Sequence, residues 1–283
     1  AEGSSTILHP SSSDDTELLI GALGDFGVTI VRRPDALDVS GTAGVLRAPP
    51  GEINVGNAGT AMRFLASFAA LAPGTTYLNG DERMRQRPIG DLLSALKMAG
   101  VKCTSSGGFP PVEIHGGTFN GGTIEMEASL SSQFLSSLLL ASPYAKRMTS
   151  ISLKGKVSSL PYVDMTLHVM RSFGALFEDV GQKLFRVDTR QRYLGREFTI
   201  EPDASAATYF LAAAAVTGGE VEIPNLQVDS FQGDCAFTKV LSEMGCKAVI
   251  REEGVVLNGG PLIGIDIDMN AFFASVEQSA NPD

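Results

Sequence analysis

Cysteine is scarce. The 283-residue chain holds three, Cys103, Cys235 and Cys246, an odd number with no CxxC pair and no metal-ligand spacing. That excludes a disulfide framework and fits a reducing, cytoplasmic setting. Histidine is equally sparse: His9, His115 and His168 lack metal spacing, His115 reading as a strand end and His168 as a helix surface or core residue. No metal or other cofactor is therefore expected. A positive excess is also missing. The net charge of −10 argues against nonspecific binding to nucleic acid or an anionic membrane, so any anion must be held by local groups. The longest apolar stretches, Phe64–Pro73 and Tyr209–Val216, are too short to span a bilayer. No signal peptide is visible, and the chain opens on Ala1 rather than Met. What remains, 43% hydrophobic and 19% charged residues, excludes a disordered chain and describes one large globular domain or two ordinary ones.

The most informative stretch is Val55-Gly56-Asn57-Ala58-Gly59-Thr60-Ala61-Met62-Arg63, with Arg83-Met84-Arg85-Gln86-Arg87-Pro88 behind it. A strand-like run, Glu52–Val55, leads through a small-residue turn into the apolar run Phe64–Leu71. The spacing predicts a strand, a tight turn and a buried helix. The first N–H groups of such a helix have no intrahelical partner and carry the positive end of its dipole, which makes an anion site. Gly59 lets a ligand approach the backbone, and Asn57 can cap the helix or bind that ligand. A capped core helix beside a solvated arginine loop is the plainer reading of the Asn-Ala-Gly run alone. Four arginines in this acidic chain favour a phosphate or carboxylate site. Asp14-Asp15 read as capping residues that complement a helix dipole.

One unit recurs. Apolar residues at helical spacing end in glycine four times: Leu19, Ala22, Leu23, Phe26 before Gly27; Leu92, Ala95, Leu96, Ala99 before Gly100; Thr166, Val169, Met170, Phe173 before Gly174; and Phe237, Val240, Leu241, Met244 before Gly245. An apolar stripe with glycine just beyond it marks an amphipathic helix with a left-handed C-cap, and a strand-like run follows each glycine. About 43 residues before the last three glycines, further helices begin at Asn57, Ser131 and Asp203, each after a strand, the last of these being Glu197–Ile200. Their continuations, Phe134–Ala141 and Thr208–Val216, are apolar nearly all round and are expected to be buried. A period of about 72 residues points to stacked copies in a compact α/β protein rather than a solenoid rod. By this period the first unit lacks its buried helix and preceding strand, and Ile265–Asn270 opens a unit that Asp283 cuts short. The chain is thus expected to be a fragment.

Five segments in unbroken order resemble the enolpyruvyl transferase family, in the branch acting on shikimate 3-phosphate: Gly56–Arg63, Arg83–Gly90, Ser131–Leu135, Ser159–Leu167 and Asp203–Phe210. The resemblance covers roughly residues 2–270. It implies an α/β fold of repeated βαβαββ units in two lobes with buried helices, here incomplete at both ends. Residues 1–199 would be the shikimate-3-phosphate-binding lobe, its first unit incomplete, and residues 200–283 a partial second lobe with an atypical tail. The implied reaction moves the enolpyruvyl group of phosphoenolpyruvate onto the 5-hydroxyl of shikimate 3-phosphate and releases phosphate, by addition and elimination. The implied partners are those two small molecules, with no nucleic acid or membrane, and the protein is expected to be a monomer. Asn57, Gly59, Arg87 and Gln133 are similar to the phosphoenolpyruvate-binding residues, with Arg63 supporting that turn. Ser131, Ser132, Gln133, Ser159 and Tyr162 are similar to the shikimate-3-phosphate contacts. N-capping for Ser131 and Ser132, and a surface aromatic for Tyr162, stand beside those roles.

The chain also departs from the family pattern. The Lys-Ser-x-x-x-Arg segment that binds both substrates is not found, nor are the later Lys-Glu and Arg segments, and the position of the family's Asp general base holds Ala274. A weakly active or inactive fragment is expected, since general acid–base help alone is worth about 10²–10⁴-fold. The sister enzyme acting on UDP-N-acetylglucosamine would want a catalytic cysteine in Gly80–Arg87, which has none. A lobe that captures shikimate 3-phosphate without turnover is the non-enzyme alternative. The tail from Ile267 to Pro282 resembles the N-terminus of Y-family DNA polymerases, far too short a match to imply polymerase activity.

Overall fold

The computed structural model describes residues 1–127, 131–155, 159–189, 191–227, 230–251 and 253–265. The chain divides into two compact units, Ala1–Thr199 and Ile200–Asp283.

In the first unit the chain runs β1 (Ser4–Leu8), α1 (Asp14–Asp25), β2 (Thr29–Arg33) and β3 (Ala36–Ser40). A second set follows: β4 (Ile53–Asn54), α2 (Gly59–Ala69), β5 (Thr75–Asn79), α3 (Gly90–Met98), β6 (Lys102–Ser106) and β7 (Phe109–His115). The third repeats it as β8 (Gly122–Glu127), α4 (Ser132–Ala141), β9 (Thr149–Lys154), α5 (Leu160–Ser172), β10 (Phe177–Val180) and β11 (Leu184–Val187), before β12 (Glu197–Thr199). The second unit holds α6 (Ala204–Thr217), β13 (Glu220–Pro224), α7 (Phe237–Glu243), β14 (Lys247–Arg251) and β15 (Gly254–Asn258).

The three sheets of the first unit share one topology. Their orders are β4-β5-β7-β6, β8-β9-β11-β10 and β12-β1-β3-β2, each with a parallel first pair and antiparallel pairs beyond it. The third order corrects the sequence reading. Glu197–Ile200 was expected to open the unit of α6; instead β12 pairs in parallel with β1, Thr6 opposite Glu197 and Leu8 opposite Thr199. It supplies the strand expected to be lacking from the first unit. The cause is hydrogen bonding, which periodicity does not register: without β12, β1 would present an unpaired edge. The sheet of the second unit, β13-β15-β14, repeats the antiparallel part of the pattern. The strand expected at Ile265–Asn270 lies outside the described residues except for Ile265.

All four repeat glycines follow a helix with positive φ: 95° at Gly27, 88° at Gly100, 85° at Gly174 and 104° at Gly245. At each, the next residue's N–H reaches back to a helix carbonyl: Val28 to Leu23 at 3.1 Å, Val101 to Leu96 at 3.0 Å, Ala175 to Met170 at 2.9 Å and Cys246 to Leu241 at 3.0 Å. These bonds satisfy carbonyls that a helix end leaves open, through a backbone turn glycine adopts without strain.

Helices α2 and α4 lie in the core of the first unit. Small residues on α2, among them Ala61, Ala66 and Ser67, allow close approach, and the buried Ser67 and Ser137 hydroxyls meet at 2.8 Å between the two helices. Phe26 of the α1 C-cap packs edge-on to Phe68 of α2 at 5.1 Å, a contact worth about 0.5–1.5 kcal/mol beyond area burial. α5 joins α4 through Ser136 and Thr166 at 2.7 Å. Helix α6 departs from expectation. Ala207, Leu211, Ala214 and Ala215 are buried, but Tyr209, Phe210 and Val216 are exposed. A core helix needs cover on two sides: α2 has α1 and α4, whereas within its unit α6 packs on α7 and one sheet.

Candidate anion-binding site

The turn before α2 is built from its own residues. Gly56 takes φ 53°, and its N–H donates to the Asn54 side-chain oxygen at 2.8 Å. The N-cap falls at Ala58, and no side chain caps the helix. Asn57, expected as a possible cap, is exposed in the preceding turn, because the helix starts one residue too late for its side chain to act as N-cap. The amide end at Gly59 and Thr60 therefore has no side-chain acceptor at its cap position.

Two guanidinium groups converge there. A Cβ placed on Gly59 would lie 2.7 Å from Arg63 Nη1 and 2.7 Å from Arg87 Cζ. Arg87 Nη1 donates to the Asn57 carbonyl at 3.3 Å. Arg63 lies beneath, 9% exposed, with its guanidinium 5.6 Å from the Phe134 ring centre on α4. Its Nε makes no hydrogen bond. Burial first, and the Arg87 charge second, pull Arg63 below the ordinary guanidinium range. Two like charges, one of them desolvated, thus face an uncapped helix end, an arrangement that a bound anion stabilises.

α4 begins beside α2. Gln133 Nε2 donates to Thr60 Oγ1 at 3.0 Å, so the first turns of both helices are neighbours. Ser131 caps α4, its hydroxyl accepting from the Gln133 N–H at 3.4 Å, and Ser132 is the first helical residue. The capping role open in the sequence is therefore real for Ser131. An N-cap hydroxyl keeps acceptor capacity and a rotatable proton, so capping does not preclude a ligand. Ser159 precedes α5 in a left-handed conformation, φ 58° and ψ 50°, with no side-chain cap bond. Non-glycine residues adopt that region sparingly, and it concentrates at functional turns. Tyr162, in the first turn of α5, is 50% exposed. The structure thus joins Asn57, Gly59, Arg63, Arg87 and Gln133 in one cluster with Ser131 and Ser132. Ser159 and Tyr162 stand at the start of α5, the helix packed on α4.

Thr60 as the partner of Gln133 was missed by sequence reasoning, although it lies inside the Gly56–Arg63 motif. Asn79, which holds the arginine loop, was missed too; no local pattern marks it. Ala274 and the polymerase-like tail lie outside the described residues. Among the described residues no cluster of three or more His, Cys, Asp or Glu side chains could hold a metal ion, and no helix is long and apolar enough to cross a membrane.

Four-stranded sheets led by a parallel pair, buried helices and two arginines meeting at the start of α2 define an α/β protein. Comparison with known proteins narrows that class. The sequence pattern of EPSP synthase (3-phosphoshikimate 1-carboxyvinyltransferase) matches residues 1–276, and the chain belongs to that family. It is 41% identical over 275 residues to a 3-phosphoshikimate 1-carboxyvinyltransferase of Trichormus variabilis, covering 95% of this chain and 65% of that protein. With the Serratia proteamaculans protein of the same name, identity is 40% over 276 residues, covering 95% and 64%. The chain therefore spans about two thirds of the length of these relatives, a little short of it. An EPSP synthase structure from Acinetobacter baumannii aligns with a TM-score of 0.80 at 24% identity, over 99% of this chain and 65% of that one, which shows the fold.

Proposed function

We propose that this chain carries the phosphate-binding part of an enzyme that transfers the enolpyruvyl group of phosphoenolpyruvate to the 5-hydroxyl of shikimate 3-phosphate. The observation carrying the reading is the meeting of Arg63 and Arg87 over Gly59 at an uncapped helix start, next to Gln133. Both substrates are polyanions, and a site for them needs fixed donors rather than a base near that helix end. Gly59 N–H and Arg87 hold the phosphoenolpyruvate phosphate, with Asn57 and Gln133 beside them. Ser131, Ser132, Gln133, Ser159 and Tyr162 hold shikimate 3-phosphate, the hydroxyls taking its phosphate and the tyrosine ring covering its carbon ring. Residues 1–199 act as the shikimate-3-phosphate-binding lobe and residues 200–283 as part of the second lobe. The protein works as a cytoplasmic monomer without a cofactor.

Capture without turnover is a second reading, favoured by Ala274 where the family has its aspartate base. One experiment separates the two. The 283-residue chain is titrated calorimetrically with shikimate 3-phosphate, and phosphate release is followed after phosphoenolpyruvate is added. Binding with release slowed at least about 10²-fold relative to an intact family enzyme is expected. Binding without any release supports capture alone. Tight binding of a UDP-sugar in place of shikimate 3-phosphate would refute both.

A further inference from the structure

Resting on the reading of Arg87 as a phosphate ligand, we infer that Asn79 and Arg85 form a positioning pair that aims Arg87 at Gly59. Arg87 is the C-cap of a single 3₁₀ turn, Met84–Gln86, whose hydrogen bonds have poorer geometry than those of an α-helix. Its backbone ties are Asp81 N–H to Gly56 O at 3.0 Å, Arg85 N–H to Asp81 O at 3.1 Å, Gln86 N–H to Arg83 O at 3.1 Å and Arg87 N–H to Met84 O at 3.0 Å, with Met84 N–H to the Asp81 carboxylate at 2.8 Å. Beside the buried Met84 side chain, the turn is tied by Asn79, only 8% exposed. Its Oδ1 accepts from Gly80 N–H at 2.9 Å and from Arg85 Nε at 3.1 Å, while its Nδ2 donates to Glu52 Oε1 at 3.1 Å. Its backbone carbonyl accepts the Val55 N–H at 2.9 Å.

One residue therefore joins the strand that leads into the α2 turn, the end of β5 and the turn that presents Arg87. Both Oδ1 lone pairs are in use, and losing that oxygen would leave the buried Gly80 N–H without its acceptor. The bond also sorts the arginines. Arg85 is drawn back onto Asn79, so its cation serves as an anchor, and Arg87, two residues on, reaches the Asn57 carbonyl and Gly59. Neither Asn79 nor Arg85 touches the anion in this account; each acts through the placement of Arg87.

The test uses the whole 283-residue chain. Arg85 is exposed, so Arg85→Met and Arg85→Lys keep the fold. Two readouts are taken: the affinity for phosphoenolpyruvate, and the ¹⁵N-guanidinium spectrum of Arg87 without ligand. Both Arg85 variants are expected to weaken phosphoenolpyruvate about 10-fold, most of the loss given by Arg87→Ala, with shikimate 3-phosphate affinity changed less than about twofold. Arg85→Lys failing like Arg85→Met identifies geometry rather than charge. The Arg87 guanidinium signal is expected to lose its hindered rotation in Arg85→Met. Unchanged affinity in both Arg85 variants, where Arg87→Ala is impaired, overturns the inference and leaves the Arg87 reading standing. Should Arg87→Ala itself bind normally, the ligand role of Arg87 fails, and the guanidinium spectrum decides the positioning alone: altered in Arg85→Met supports it, unaltered overturns it.

Discussion

At Gly59 one methyl group decides whether two arginines can share a helix end. Gly59→Ala would set a carbon 2.7 Å from Arg63 Nη1 and from Arg87 Cζ. Those atoms are the far ends of flexible side chains and can swing aside, so the fold tolerates the change and the anion site does not. Phosphoenolpyruvate affinity is expected to fall at least about 10-fold, near 1.4 kcal/mol, with the thermal midpoint held. Unchanged affinity in calorimetry would remove the guanidinium pair from the site. Arg63 presents the opposite trade. A buried cation whose Nε finds no partner costs stability, commonly about 1–3 kcal/mol for an unsatisfied polar group. Arg63→Met keeps the packing on Phe134 and removes that cost. Urea unfolding is expected to show equal or greater stability while anion binding drops; a marked loss of stability would show that Arg63 is chiefly structural. That Gly59, Arg63 and Arg87 meet was legible because the first two share a short motif at a predicted strand–turn–helix and Arg87 lies in the arginine-rich stretch behind it. Asn79 was not, because its partners are Glu52, Gly80 and Arg85, and a hub of this kind exists only once β4 and β5 are paired.

Elements show the same division between local and distant information. Helices α1, α3, α5 and α7 were readable from an apolar stripe and a terminal glycine, since each C-cap is closed by bonds within its own turn. Gly174 gives a clean test: a Cβ there meets the Leu194 side chain no closer than 3.5 Å, so substitution costs backbone strain alone. Gly174→Ala is expected to lose about 1–2 kcal/mol in urea unfolding, and Gly174→Asn less, because asparagine tolerates the left-handed region better. Equal losses would point to packing instead. The pairing of β12 and the burial of α6 were misread, each because it depends on distant parts of the chain. A three-residue strand carries no period of its own, and its neighbour β1 lies almost 190 residues away in sequence. The apolar composition of α6 fits a helix covered on both sides, whereas within its unit only one side is packed.

For the molecule as a whole, the pairing of β12 with β1 links the start of the chain to the end of the first unit. Gly195 N–H bonds to Glu2 O at 2.6 Å, and Glu2 N–H to Tyr193 O at 2.7 Å. Truncation after Thr199 is therefore expected to leave a cooperatively folding unit, by circular dichroism and urea titration, whereas truncation after Asp188 opens the β1 edge and broadens the transition. Identical transitions would show that β12 adds nothing. The central claim is that the start of α2, with Arg87 above it, is where a substrate phosphate rests. A crystal structure of the 283-residue chain with phosphoenolpyruvate tests it most directly: the account expects phosphate oxygens about 3 Å from the Gly59 nitrogen and from the Arg87 guanidinium. A phosphate bound elsewhere on the first unit, with Arg87 turned away from Gly59, would contradict it.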